Sequence, residues 1–105
     1  MNSGNANAFT GRHGRESVKT VTEATARALN LPESRIFTSS TGVIGEPLPH
    51  DKITAKLDEL TINLSAEAIE NAANAIMTTD TFPKGSGTTV HIDGQPVHIG
   101  GIAKG

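Results

Sequence analysis

Apolar residues recur every three or four positions in three stretches of the chain. This spacing predicts amphipathic helices over about residues 15–29, 50–62 and 65–77. Ser65 is expected to cap the third helix, because a serine side chain accepts hydrogen bonds from the first backbone amides of a helix. Pro83 then prevents that helix from continuing.

Between and after these helices the pattern changes to short apolar runs bounded by glycine and proline. The runs predict strands over about residues 35–40, 88–92 and 97–102. The first strand is expected to lead into a glycine-containing loop at residues 39–45. Helices and strands that alternate along one short chain indicate an α/β fold.

The second and third strands each carry a Val-His-Ile triplet and predict a β-hairpin. A four-residue loop over Asp93–Pro96 would pair Ile92 with Val97 and His91 with His98. Because side chains alternate along a strand, this arrangement places the aliphatic residues on one face and both histidines on the other.

The composition offers little material for a hydrophobic core. The 105 residues are 35% hydrophobic, with three phenylalanines and neither tryptophan nor tyrosine. A chain of this size also buries a smaller fraction of its surface than a larger domain does. We therefore expect residues 1–105 to form a single partial domain of something larger.

Charge and cysteine content exclude several classes of protein. The formal net charge is −2 and the basic residues are scattered, so the chain lacks the basic stripe of a non-specific nucleic-acid binder. No apolar run approaches the length of a membrane span. The absence of cysteine excludes disulfides, thiolate zinc sites and a cysteine nucleophile. We expect a cytoplasmic protein without a cofactor.

Two further features invite a chemical interpretation that the spacing does not support. His91 and His98 could bind a metal, but two ligands make a weak site and no carboxylate is placed on their face, so a solvent-facing pair is favoured. The Lys84–Thr89 segment superficially looks like a phosphate-binding loop. It leads into a strand and not a helix, and is interpreted as a flexible turn.

Three polar sites have both a functional and an ordinary interpretation. Thr41 and Gly42 combine a hydroxyl with an unobstructed backbone amide, and an oxyanion hole is built from hydrogen-bond donors of these kinds. The ordinary interpretation is a simple turn. The stretch from Thr78 to Thr81 could orient a polar substrate or satisfy carbonyls at a helix end. Lys104 could bind a carboxylate or be a solvated lysine.

Four segments, taken together and in order, resemble the ornithine acetyltransferases of arginine biosynthesis, also called glutamate N-acetyltransferases. They begin at Asn2, Ser40, Ile76 and Gly100: Asn-Ser-Gly-Asn-Ala-Asn-Ala-Phe-Thr-Gly, Ser-Thr-Gly-Val-Ile-Gly-Glu-Pro-Leu-Pro, Ile-Met-Thr-Thr-Asp-Thr-Phe-Pro-Lys and Gly-Gly-Ile-Ala-Lys-Gly. The resemblance covers the whole chain. It implies transfer of an acetyl group from N-acetylornithine to glutamate, with acetyl-CoA as an additional donor in some members.

The resemblance also implies roles for particular residues. Thr41 and Gly42 match the oxyanion hole, and Thr78 and Lys104 match substrate-binding positions. The implied fold is a layered α/β/β/α arrangement in a precursor that cuts itself before an internal threonine. That threonine becomes the nucleophile of a separate β chain, with its own amine as the base.

We expect this chain to be the later part of an α chain, inactive alone because the nucleophilic threonine is not among its residues. Its expected partners are the remainder of the α chain and a β chain, in a heterotetramer-like assembly. The alternative is a non-catalytic truncated remnant, or a small interaction protein that self-associates through exposed sheet edges.

Overall fold

The computed structural model describes residues 1–104; Gly105, the end of the fourth matching segment, lies outside the described residues. The chain divides into two compact units: unit 1 comprises Met1–Ser65, and unit 2 begins at Ala66. Helices and strands occur in both, which confirms the α/β class. The expectation of a single partial domain over residues 1–105 stays a prediction.

Unit 1 is built on two short parallel strands joined through a long helix. Strand β1 covers Asn2–Asn5, helix α1 covers Gly11–Leu29 and strand β2 covers Ser40–Val43. The parallel register pairs Asn2 with Ser40 and ends at the pair Asn5–Val43. Parallel neighbours require such a crossover connection.

Helix α1 ends at Leu29 as predicted but begins at Gly11, four residues before the predicted start. Its first turn lacks apolar periodicity, so the hydrophobic pattern gave no sign of it. Asn30 ends the helix in a left-handed conformation, with φ of 52°. The buried face consists largely of small residues: Gly14, Ser17, Val21, Thr22 and Ala26.

The predicted strand over residues 35–40 is wrong except at its last residue. A 3₁₀ turn covers Glu33–Arg35, and β2 begins only at Ser40. The strand forms where it finds its hydrogen-bonding partner, β1, and not where the apolar residues Ile36 and Phe37 lie. Asparagine and glycine are poor strand formers, so the sequence of β1 did not predict this partner.

The predicted helix over residues 50–62 is divided into α2 (His50–Thr54) and α3 (Leu57–Ile62). Between them the N–H of Lys56 donates to the carbonyl of Ile53 at 3.0 Å, three residues back along the chain. This tighter hydrogen bond interrupts the regular α-helical ladder and accounts for the division.

Unit 2 begins with a 3₁₀ turn over Ala66–Ala68, followed by helix α4 over Ile69–Ala75. The predicted helix over residues 65–77 is therefore too long at both ends. Ala68, and not Ser65, is the N-cap of α4, because the first turn tightens to 3₁₀ geometry.

Two long antiparallel strands complete unit 2: β3 covers Lys84–Ile92 and β4 covers Gln95–Ala103. Both extend beyond the predicted strands. The turn contains only Asp93 and Gly94, which adopt φ of 49° and 77°. Two left-handed residues form the turn whose twist matches that of the strands.

This turn changes the predicted pairing of the hairpin. Ile92 pairs with Gln95, and His91 pairs with Pro96, so the predicted Ile92–Val97 and His91–His98 pairs are wrong. The register still places the valines and isoleucines on one face and both histidines on the other, as predicted. The His91–Pro96 pair is a non-hydrogen-bonded one, in which the N–H of the residue on β4 would point away from β3. Proline is therefore tolerated here, because its lack of an N–H removes no hydrogen bond between the strands.

The hydrophobic core is as small as the composition suggests. Among the described residues, the buried hydrophobic side chains are Val21, Ala26 and Leu48 in unit 1 and Ala73 in unit 2. None of the described helices combines the length and the apolar character that a bilayer span requires.

Candidate functional site

The four predicted site residues fall into two groups. Thr41 and Gly42 lie in strand β2 of unit 1, and Thr78 and Lys104 lie in unit 2, in the bend after α4 and just after β4. The predicted loop at residues 39–45 is thus partly a strand, which fixes the backbone around Thr41 and Gly42.

Gly42 lies directly opposite Gly4 of β1, and the two strands approach closely at this pair. A Cβ atom at position 42 would collide with the carbonyl carbon and oxygen of Gly4. Gly42 and Gly4 also have φ of 128° and 129°, which residues with side chains rarely adopt. Only glycine fits at position 42.

Thr41 pairs with Ser3 and is half-buried. Its hydroxyl makes no hydrogen bond to another described residue. The neighbouring hydroxyl, that of Ser40, donates instead to Asn2 Oδ1 at 2.7 Å. Because side chains alternate along a strand, the Thr41 and Ser40 hydroxyls lie on opposite faces of the strand pair.

Hydrogen bonds join the chain segments that follow β1 and β2. The N–H of Ala6 donates to Val43 O, and the N–H of Gly45 donates to Ala8 O, both at 2.8 Å. The Asn5 side chain donates to Pro47 O at 2.8 Å. The first two matching segments of the sequence are therefore adjacent in the structure.

In unit 2 one carboxylate contacts both predicted substrate-binding residues. Asp80 Oδ2 accepts a hydrogen bond from the N–H of Thr78 at 3.1 Å and lies 3.4 Å from Lys104 Nζ. The Asp80 side chain is only 1% exposed, against 24% for Lys104. Thr78 itself is exposed. The residues were predicted separately, and Asp80 brings them together.

The other oxygen of Asp80 binds a second lysine. Lys84 Nζ donates to Asp80 Oδ1 at 2.9 Å and to the carbonyl of Phe82 at 3.2 Å. The same ammonium lies 4.5 Å from the centre of the Phe82 ring. Lys84 is the first residue of β3, so the interpretation of the Lys84–Thr89 segment as a flexible turn is wrong. The pairing of this segment with β4 orders it.

The structure also joins a serine, a histidine and an aspartate whose spacing gave no sign of contact. Ser17 Oγ lies 2.8 Å from His50 Nδ1, and His50 Nε2 lies 3.5 Å from Asp51 Oδ1. Ser17 is completely buried, so no substrate can reach its hydroxyl. The contact holds the start of α2 against α1 and is structural.

The two hairpin histidines are exposed, as predicted, although they do not face each other. His98 Nδ1 lies 2.9 Å from the hydroxyl of Thr89. Within residues 1–104 no group of three or more histidine, aspartate or glutamate side chains is arranged to hold a metal ion.

The profile of the ArgJ family matches residues 1–105, the whole chain. The chain belongs to the ArgJ family. The resemblance found in the sequence is thereby confirmed at the level of the family.

Curated relatives of the ArgJ family are similar along the entire chain. The arginine biosynthesis bifunctional protein ArgJ of Ruegeria pomeroyi is 60% identical over 105 residues, which are 100% of this chain and 26% of that protein. The glutamate N-acetyltransferase of Methanococcus maripaludis is 46% identical over 99% of this chain and 26% of its own length. The chain thus spans about a quarter of these relatives.

A solved ArgJ structure has the same fold. The crystal structure of arginine biosynthesis bifunctional protein argJ from Bacillus halodurans matches with a TM-score of 0.88 and 38% identity. The match covers 99% of this chain and 55% of the crystallised chain. Since the same residues cover only 26% of the curated relatives, the crystallised chain is about half as long as those proteins.

Proposed function

We propose that these residues are part of a glutamate N-acetyltransferase that moves an acetyl group from N-acetylornithine to glutamate in arginine biosynthesis. Membership of the ArgJ family and the name of the Methanococcus maripaludis relative support this activity. The observation that carries the proposal is the shared contact of Thr78 and Lys104 with one oxygen of Asp80. Two residues expected to bind one substrate meet at one buried group.

Thr41 and Gly42 are proposed to form the oxyanion hole. The N–H groups of Asn2 and Ala6 donate hydrogen bonds to the carbonyls of Ser39 and Val43, so the backbone groups of Ser39 and Val43 face β1. In a parallel strand pair, successive residues direct their N–H and C=O groups to opposite sides. The N–H of Gly42 therefore points away from β1. This amide and the Thr41 hydroxyl are the two donors proposed to stabilise the negative oxygen that forms when the acetyl carbonyl is attacked.

Lys104 and Thr78 are proposed to bind the substrate. The Lys104 ammonium supplies a positive charge for a carboxylate of glutamate or N-acetylornithine. Thr78, whose N–H contacts the same Asp80 oxygen as Lys104, is exposed and supplies a hydroxyl. Both substrates are amino-acid derivatives with a carboxylate, so one pair of residues serves donor and acceptor in turn.

The nucleophile is proposed to be the N-terminal threonine of a β chain released by self-cleavage. Its hydroxyl oxygen attacks the acetyl carbon while its amine takes the hydroxyl proton and passes it to the ornithine nitrogen as the C–N bond breaks. The glutamate amine then attacks the resulting ester, its proton returns through the threonine amine to the threonine oxygen, and N-acetylglutamate leaves. The half-length crystallised relative supports a precursor cut in two. The same proposal includes a heterotetramer-like assembly, a layered α/β/β/α fold, a cytoplasmic location and acetyl-CoA as a further donor.

The test is an acetyl-transfer assay on the complete protein that contains these residues. We expect transfer from N-acetylornithine to glutamate, and a fall in kcat of about 10²–10³ for Thr41→Ala with little change in KM. The matched control is Ser40→Ala, since that hydroxyl is engaged by Asn2 on the opposite face and should leave kcat within about threefold.

Two results would contradict the proposal at different levels. An unchanged kcat in Thr41→Ala would remove Thr41 from the oxyanion hole while leaving the activity in place. A complete, folded protein that transfers no acetyl group from either donor would overturn the function and favour the non-catalytic alternative.

A further inference from the structure

We infer that Asp80 is a positioning residue, which holds the Lys104 ammonium and the Thr78 main chain in the geometry that binds a substrate carboxylate. The inference rests on the proposed function, because it deepens the substrate-binding role of Lys104. Asp80 lies within the third matching segment, but it is not one of the four predicted site residues.

Asp80 is more deeply buried than Thr78 and Lys104, both of which it contacts. The Asp80 side chain is 1% exposed, whereas Lys104 remains 24% exposed and Thr78 lies at the surface. An enclosed carboxylate does not touch a substrate that arrives from solvent. Any effect of Asp80 on substrate binding must therefore pass through the groups it contacts.

The two carboxylate oxygens of Asp80 bind different groups. Oδ1 binds Lys84 Nζ at 2.9 Å, and Lys84 is itself held by the Phe82 carbonyl and ring. Oδ2 faces the Thr78 N–H and the Lys104 ammonium. With one oxygen fixed by Lys84, the direction of the other is fixed as well.

The charges of Asp80 and its two lysine partners also fit this role. Asp80 neutralises one of the two ammonium groups, so the cluster of Asp80, Lys84 and Lys104 has a net charge of about +1, which suits one substrate carboxylate. Replacing the carboxylate by a neutral amide would leave two ammonium groups near each other without a counter-charge. Their repulsion would displace Lys104 from the position that meets the substrate.

The test is a double-mutant cycle on the complete protein, measured as KM and kcat of acetyl transfer. Lys104→Met is expected to raise KM about 10- to 100-fold, the range for loss of a hydrogen bond to a charged group. Asp80→Asn should raise KM about tenfold with kcat changed less than about threefold. The KM of the double variant should lie close to that of Lys104→Met and well below the product of the two single increases, because Asp80 acts mainly through Lys104 and only in smaller part through the Thr78 main chain.

The matched control is the Lys56–Glu59 pair of unit 1, whose charged atoms are 2.6 Å apart on the surface. Lys56→Met and Glu59→Gln remove the same kinds of charge and should leave KM unchanged. If Asp80→Asn does not fold, the cycle is run with Asp80→Glu, which keeps the charge but displaces it by one methylene.

The outcomes separate this inference from the proposed function. A double variant whose KM increase equals the product of the two single increases would overturn the positioning role, because a merely structural residue acts independently of Lys104. An unchanged KM in Asp80→Asn, or in Asp80→Glu where that variant replaces it, would overturn it too. An unchanged KM in Lys104→Met would contradict the substrate-binding role of Lys104 in the proposed function.

Discussion

Unit 1 and unit 2 hold their candidate residues by different means. In unit 1 close packing positions the residues. The backbone of Gly42 fits against that of Gly4 in a parallel strand pair, and a completely buried Ser17 holds the neighbouring helices together. In unit 2 a single carboxylate, Asp80, gathers charged and polar groups beside a largely exposed hairpin. Substitutions in unit 1 should therefore act on packing and on kcat, and those in unit 2 on substrate binding.

The largest effect is expected for Gly42→Ala. The new methyl group collides with the Gly4 carbonyl and forces a residue with a side chain to a φ of 128°, so we expect a loss of about 4 kcal/mol in the free energy of unfolding. Chemical denaturation of the complete protein measures this loss. The control is Gly4→Ala, which has the same φ but nothing within 4 Å of the added Cβ, and should lose about 1–2 kcal/mol.

Equal losses in the two glycine variants would show that backbone conformation, and not the close approach of the strands, sets the requirement at Gly42. The contrast between the units would then lose its main support.

A smaller effect is expected for Ser17→Ala. This change removes the 2.8 Å contact with His50 at a fully buried position and should cost about 2 kcal/mol in the free energy of unfolding. Thr20 lies on the same helix and donates its hydroxyl to Glu16 O near the surface. Thr20→Ala is the control and should cost less than about 0.5 kcal/mol. A Ser17 variant no less stable than the Thr20 variant would show that this contact does not hold α2.

In unit 2 the corresponding test is Gly94→Ala in the hairpin turn. Gly94 has φ of 77° with open space around the added Cβ, so only backbone strain opposes the change, about 1 kcal/mol. Faster hydrogen exchange of the β3 and β4 amides would report it. Gly101→Ala, also in open space but without a left-handed φ, is the control and should leave exchange nearly unchanged. Equal exchange rates in the two variants would contradict the two-residue turn.

The smallest effect is expected for Lys56→Met. The hydrogen bond and charge of Glu59 raise the pKa of Lys56 above its usual 10.5. The folded state thus holds the proton more tightly, and the pair contributes stability below pH 10.5 that is lost as the pH rises through the folded pKa. Lys56 is fully exposed, so its interaction with Glu59 is screened by salt. At pH 8, high salt should therefore abolish the difference in thermal unfolding temperature between Lys56→Met and the unaltered protein. A difference that persists in high salt would contradict this account.

The sequence was most informative where local pattern decides the structure. The end of α1 at Leu29 and the face assignment of the hairpin follow from helical and strand periodicity, and both are confirmed. The hairpin register was wrong because Asp93 and Gly94 alone make the turn, whereas Pro96 was taken as part of the loop. The Asp-Gly pair is itself a strong turn signal and could have given the correct register.

The sequence was least informative where distant segments meet. Strand β1 is polar and contains glycine, so its sequence does not identify it as a strand. Only its pairing with β2 does so, and the same pairing determines where β2 begins. The contacts of Ser17 with His50 and of Asp80 with Lys104 are likewise tertiary. The residues alone left a functional and an ordinary interpretation open for the four site residues, and the resemblance to the family favoured the functional one. Their chemical roles stay predictions.

The central claim is that unit 1 serves the chemical step and unit 2 serves substrate binding. Steady-state kinetics of Thr41→Ala and Lys104→Met, measured side by side in the complete protein, test it most directly. We expect kcat to fall about 10²–10³-fold with a nearly constant KM in Thr41→Ala. In Lys104→Met we expect a raised KM with a nearly constant kcat. The same change in both variants, whether in kcat or in KM, would contradict the division.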